Sequence, residues 1–261
     1  IYEMLKPELG ASIPKYIKFP IETRKNWEKF RDNHLDPSMQ GRLAKNLDEV
    51  LEHAQDTTGP VTIFCTSIYG KIRNYMGLER LSIAIYDDPT WVEEMMEHIT
   101  WMTLTVLGKI AGKCKVDLAF WWEDMCYRDG PLISPKHFAE WMVPRYKRIT
   151  DFLKYECNCR LNMLDCDGNI HKLTGLWLAA GINCMFPLEA AHTDVFKLYK
   201  QYGSSVGLRG AFDKRALAAG KAAIDAEFDR LTPLIERKCL IVHVDHLVPP
   251  DVSFQDYCYY R

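Results

Sequence analysis

The 261-residue chain has no block of basic residues and almost no net charge: 33 Lys and Arg stand against 35 Asp and Glu. That balance leaves no electrostatic footprint for nucleic acid. No apolar run approaches the roughly 20 residues that a membrane helix needs, and the opening "IYEMLKPELG" lacks the charged, apolar and small-residue regions of a signal peptide. No Gly-rich phosphate loop follows the first strand-like run, which argues against a dinucleotide fold. Internal repeats and low-complexity tracts are also missing. The nine cysteines are scattered through apolar segments and form no dense framework, so they are expected to be reduced and largely buried. These absences together describe a soluble, cytoplasmic protein whose partner is a small molecule or another protein, with neither nucleic acid nor membrane involved.

What is present is a βα rhythm. The runs "PVTIFCTS" (60–67), "VDLAFWWED" (116–124), "CRLNMLDCDG" (159–168), "GINCMFPLE" (181–189), "SSVGLRGAFD" (204–213) and "CLIVHVDH" (239–246) are short, apolar and closed by polar residues. They have the character of parallel strands buried on both faces. Helical patterns separate them, one opening on Ser134 and Pro135 and another on Asp88 and Pro89, which are N-cap and first-turn residues. About six βα units in a row fit an α/β barrel of the TIM type better than a doubly wound sheet. Residues 1–58 break the rhythm with Pro14, Pro20 and Pro37 and read as an irregular arm with a short helix starting near Thr23; residues 59–261 form the barrel domain.

In such a barrel every strand points its C-terminal end at one face, where the active site is built. The endings here are Tyr69 after the first run, Glu123 and Asp124, Asp165 and Asp167, Glu189, Arg209 and Asp213, and Asp245 with His246. So many carboxylates in one mouth require a metal ion, a cationic partner such as Arg209 or Arg73, or protonation. Glu123 and Asp124 follow Trp122 and suit an acid, a base or a substrate anchor, or else a buried ion pair with an arginine. Asp165, Asp167 and His246, with Asp245, Glu123 or Glu189, offer oxygen and nitrogen ligands for a divalent ion. Asp167 also suits the N-cap of a helix starting near Asn169. Arg209, Lys214 and Arg215 suit an anionic group of a substrate or neutralise their acidic neighbours. The ending "DYCYYR" has the look of core or subunit packing.

The stretches "WWEDMCYRDGPLISPKHFAEWMVPRYKRI", "DCDGNI", "FPLE", "RGAFDKRAL" and "HVDHLVPPDVSFQDYCYY", in that order, resemble the uroporphyrinogen decarboxylase superfamily, which also contains methyltransferases acting with corrinoid proteins. The resemblance runs from about residue 12 to the end. It implies an eight-stranded (β/α)8 barrel whose first two strands are absent from this chain, with the exposed edge shielded by the arm or by the second subunit of a homodimer. Cofactor-free decarboxylation of uroporphyrinogen, a step of porphyrin biosynthesis, would assign the family's tyrosine role to Tyr69 or Tyr75 and its histidine role to His246. Corrinoid-linked methyl transfer would place a zinc or other divalent ion at Asp165, Asp167, Asp245 and His246, where relatives carry His-x-Cys and a later Cys. The expected catalytic residues are Glu123, Asp124, Tyr69 and His246, and the expected substrate-binding residues are Arg209, Asp213, Trp122 and Glu189. Methyl transfer between a small methylated compound and a corrinoid carried by a partner protein is the favoured activity; decarboxylation and a non-catalytic binding barrel are the alternatives.

Overall fold

The six apolar runs form one sheet: β1 Thr62–Phe64, β2 Leu118–Trp122, β3 Leu161–Asp165, β4 Cys184–Phe186, β5 Gly207–Phe212 and β6 Leu240–Val244. This computed structural model describes residues 2–4 and 14–261. All six strands are parallel and lie side by side in chain order. A doubly wound sheet reverses its strand order at one point, whereas unbroken sequential order with helical crossovers is the barrel arrangement. Among the described residues β1 and β6 do not pair with each other, so the structure is an open, six-stranded portion of a barrel.

Strand alternation separates two faces. Ala119 and Trp121 on β2, Leu164 on β3 and Met185 on β4 point at the helices and are buried. The opposite, inward face is only partly filled: Phe64, Leu161 and Ile241 are 59%, 44% and 66% exposed. Tyr16 and Phe19 of the arm border a cavity beside Trp122 at the end of β2. The rest of the described arm packs on the helices that follow β1. Ile21 donates its N–H to the Tyr75 carbonyl, Trp27 donates Nε1–H to Glu94 at 2.8 Å, and Arg24 pairs with Asp88 and Glu94. Trp27 is fully buried by this packing. A buried indole with its one donor satisfied anchors the segment.

Helix ends follow local chemistry. Asp88 caps helix Pro89–Leu107 by accepting from the Trp91 N–H, and Ser134 accepts from the His137 N–H at the start of helix Pro135–His137. That second helix does not run straight on. A π-helical turn, Phe138–Met142, separates it from helix Val143–Glu156, immediately before Pro144. Proline has no N–H for the ladder, and the wider turn takes up the mismatch. No helix among the described residues is long and apolar enough to cross a membrane.

Candidate active site at the carboxyl ends of the strands

The carboxyl ends of the strands build one mouth, but they do not all contribute to it in the same way. Glu123, directly after β2, is fully buried. Its carboxylate accepts from Ser67 Oγ at 3.0 Å, from the N–H groups of Ile68 at 2.7 Å and Gly70 at 2.9 Å, and from the Tyr146 hydroxyl. Burial pushes its pKa up, against the pull of these four donors. The side chain fastens the start of helix Tyr69–Met76 to β2 and has no face toward a ligand, so the catalytic role expected of it goes to a positioning one. Glu123→Ala would strand two N–H groups and two hydroxyls in the interior. A loss of about 3 to 5 kcal/mol is expected, read by guanidinium denaturation; a change of about 0.5 kcal/mol or less, the size usual for a surface substitution, would contradict the role.

Tyr69 is likewise fully buried beneath the mouth, and its hydroxyl has no hydrogen-bond partner. Burial drives its pKa upward. Asp124, in contrast, turns outward through a left-handed backbone (φ 47°) and is held by Arg73, whose Nη2 lies 2.9 Å from Oδ2 and whose Nη1 donates to the Asp124 carbonyl. The same guanidinium lies 5.3 Å from the centroid of the Trp122 ring.

Asp165 ends β3 in the middle of this arrangement. In the ladder it stands opposite Trp122 on one side and Phe186 on the other. Paired residues on adjacent strands project to the same face, so the carboxyl is flanked by two aromatic residues. Arg209, on β5, lies over Phe186 at 4.7 Å and reaches Met163 Sδ at 3.8 Å. Burial raises the Asp165 pKa to about 7, with Asp167 and Asp124 adding to the rise and His246 and Arg209 opposing it. A carboxyl that changes protonation near neutrality is suited to acid or base catalysis.

Asp167 follows at the turn and pairs with His246, Oδ2 to Nε2 3.3 Å. Burial raises its pKa as well, with His246 pulling it back. It does not cap the next helix: His171–Ala179 has no side-chain cap at Ile170, and Asn169 Oδ1 accepts the His171 N–H. The turn itself is clamped from both sides. Gly168 donates its N–H to Glu189 Oε2 at 2.7 Å, and its carbonyl accepts from Thr193 Oγ1 at 2.7 Å. Glu189 faces Lys214 Nζ at 3.6 Å. Cys166, between the two aspartates, is buried behind the site and accepts from the Met125 N–H.

Two expected site residues serve the frame instead. Asp245 is 2% exposed, with Oδ2 accepting from the Ala190 N–H at 2.9 Å and Oδ1 from the Lys214 N–H at 3.0 Å. Asp213 caps helix Lys214–Ala218 and pairs with Arg215. Neither carboxylate is turned to a ligand, because each is matched to nearby backbone donors. Among the described residues no three His, Cys, Asp or Glu side chains gather closely enough to hold a metal ion. With Asp245 engaged elsewhere, Asp167 and His246 form a pair rather than the core of a three-ligand site. The residues present therefore do not fit the expected zinc centre.

A cavity of about 580 Å3 opens at the mouth, lined by Arg73, Asp124, Asp167 and Glu189 and by residues that the strand-end pattern omits: Leu78, Cys126, Tyr127, Arg128, Leu132 and His192. Such a volume suits one small ligand. Cys126–Tyr127 and Gly130–Pro131 form a short antiparallel hairpin, and it brings Tyr127 and Arg128 over the opening. The signal for it was the "RDG" triplet at 128–130: Arg128 and Asp129 are the two loop residues, and Gly130 takes the fourth turn position, where glycine is favoured.

Comparisons with known proteins agree with this geometry. No curated protein matches the chain. A methyltransferase from Methanosarcina mazei shares its fold, with a TM-score of 0.58 and 13% identity over 78% of this chain. The match spans 59% of that longer protein. The family model for uroporphyrinogen decarboxylase (URO-D) matches residues 10–257, nearly the whole sequence. A parallel strand order without reversal, an acid-rich mouth at the carboxyl ends and this match lead to one statement: the chain belongs to the uroporphyrinogen decarboxylase (URO-D) family.

Proposed function

We propose that the protein transfers a methyl group from a small methylated compound to a nucleophile presented at the mouth, with Asp165 as the general acid. The observation that carries this reading is the position of the Asp165 carboxyl, at the end of β3 between Trp122 and Phe186, where burial pushes its pKa up to about 7. When a methyl ether or methylamine gives up its methyl group, the bond from carbon to the heteroatom breaks and its electron pair stays on oxygen or nitrogen. A positioned acid lowers the barrier by protonating that atom as the charge develops. The proton leaves Asp165, the leaving group departs as a neutral alcohol or amine, and the methyl group joins the nucleophile. A reduced corrinoid on a partner protein would supply that nucleophile. Arg209 and His246 stabilise the carboxylate that remains, since both lower its pKa.

The charge at the mouth supports this reading over decarboxylation of an acidic tetrapyrrole. Arg73 is engaged by Asp124 and Lys214 by Glu189, so two of the cations at the mouth are already matched to the site's own acids. A polyanion would meet Asp124, Asp165, Asp167 and Glu189 at close range.

The test is incubation with chemically reduced cobalamin and a series of methyl ethers and methylamines, followed by the absorbance of methylcobalamin. Enzyme-dependent methylcobalamin is expected with at least one compound. Release of carbon dioxide from uroporphyrinogen, with no methyl transfer across the series, would replace this reading by the decarboxylase one.

A further inference from the structure

The amino ends of the strands, opposite the mouth, carry a cavity of their own. About 350 Å3 in volume, it lies where helix Val143–Glu156 passes the starts of β3 and β4, and its walls include Lys147, Asp151, Lys154, Arg160, Asn162 and Asn183. Asn162 precedes Asp165 on the same strand by about 10 Å. The cavity shares no lining residue with the mouth.

The polar groups of this wall are satisfied on one side only. Its acceptors are in use: Asn183 Oδ1 accepts from the Asn162 N–H at 2.9 Å, Asn162 Oδ1 accepts from Trp121 Nε1–H at 3.2 Å, and Asp151 pairs with Lys147. What is left over is donors. An indole only donates, so the bond from Trp121 fixes which end of the Asn162 amide is oxygen, and the Nδ2 end has no acceptor among the described residues. Asn162 is 3% exposed, and a donor so deeply buried costs free energy until something accepts from it. Lys154 and Arg160, exposed at the rim, have no carboxylate partner among the described residues; Lys154 Nζ rests 4.9 Å from the centroid of the Tyr155 ring. Two positive charges without a counter-charge and one buried amide donor border the same space.

We propose that this cavity binds the phosphate group of a small molecule, at a site remote from the mouth and independent of the methyl-transfer reading. A phosphate monoester carries about 1.5 to 2 negative charges at neutral pH and strong acceptor oxygens, which matches two unpaired cations and one amide donor. Arg160 and Lys154 hold it at the rim, and Asn162 Nδ2 takes the innermost oxygen. A neutral or cationic ligand would leave all three donors as they are. Occupancy also bears on the sheet. Asn162 holds Trp121 of β2 through its side chain and Asn183, just before β4, through its backbone, so an anion that fixes this amide steadies the starts of three strands.

Calorimetric titration at fixed ionic strength with glycerol 3-phosphate, inorganic phosphate, malonate and glycerol tests the site. Saturable binding of a phosphate is expected, and the tighter of the two phosphates identifies the ester or the free anion as the form the site takes. Glycerol should not bind. Malonate divides its charge between two planar groups on which the three donors cannot converge, so it should bind about ten-fold more weakly or worse. Lys154→Gln and Arg160→Gln should each weaken phosphate binding about ten-fold, the loss expected for one charge-assisted hydrogen bond. Asn162→Asp, which sets a carboxylate where the inner donor stands, should abolish it. Lys25→Gln, at an exposed lysine of the arm, should leave it unchanged. Thermal melting shows whether Asn162→Asp has lost the site or the fold, and the two rim variants decide the case if it has lost the fold. Absence of phosphate binding in the parent, equal affinity for malonate, or binding lost in Arg128→Gln at the mouth and retained in Lys154→Gln and Arg160→Gln overturns the proposal.

Discussion

Replacing Asp165 with asparagine is expected to lower turnover about 100- to 10,000-fold, the range that a positioned general acid contributes. The amide is nearly isosteric with the carboxyl but has no acidic proton to give. In the parent protein the protonated form is the active one, so kcat/KM should fall as pH rises through about 7. In the variant that limb should vanish. Stability should move the opposite way. The folded-state pKa of Asp165 is raised above its unfolded value, so its favourable contribution is complete below the unfolded pKa, near 4, and is lost as pH rises through about 7. Above that pH the parent carries a partly buried carboxylate beside Asp167 and Asp124, which asparagine avoids. Allowing for solvent screening at the mouth, the variant should be about 2 kcal/mol more stable than the parent at pH 8 and about equal to it at pH 4. Denaturation at the two pH values, set beside the pH profile of activity, gives both readings; an unchanged profile in the variant would falsify the assignment of Asp165 as the acid.

Gly210→Ala is expected to abolish folding. A Cβ at this position would fall 1.5 Å from the Pro187 carbonyl oxygen, and the backbone sits at φ 117°, a region open to glycine and strained for alanine. The obstacle is backbone rather than a side chain that can turn aside. The next residue, Ala211, donates its N–H to the carbonyls of Pro187 and Leu188, so the two segments are drawn together by hydrogen bonds. Moving them apart would break that join between β5 and the loop after β4, and would displace Arg209 from Phe186. The cost should reach about 5 kcal/mol or more, beyond what most single substitutions cause. Soluble yield and the melting temperature check it; a folded variant melting within about 5 °C of the parent would mean that the close approach is relaxed in solution, since 1 kcal/mol moves Tm by about 2 to 4 °C at this size.

The six strands and their parallel sense were legible in the sequence because a buried parallel strand is an apolar run with a polar end, and that pattern is local. Convergence on one mouth followed from the barrel rule. What could not be read was the direction taken by each side chain after its strand ended. Glu123 and Asp124 are adjacent, yet one turns inward to four donors and the other outward to Arg73. The difference lies in a left-handed backbone at Asp124, a feature that aspartate tolerates but does not announce. Asp245 and Asp213 were equally ambiguous, because the backbone donors that engage them come from segments distant in sequence or from the first turn of the following helix. Arg128 and Tyr127 were missed for a different reason: the hairpin that carries them hangs between a strand and a helix, outside the strand-end pattern.

The Asp245 carboxylate has a consequence for motion. One oxygen holds the Ala190 amide and the other the Lys214 amide, so the loops after β4 and β5 share a fastening at the end of β6. Glu189 and Lys214, which face each other across the rim, sit on those two loops. Local unfolding in proteins proceeds by units that open together, and here the unit is two loops wide. Freeing one amide would loosen its neighbour's anchor, so the Ala190 and Lys214 amides are expected to exchange with solvent together.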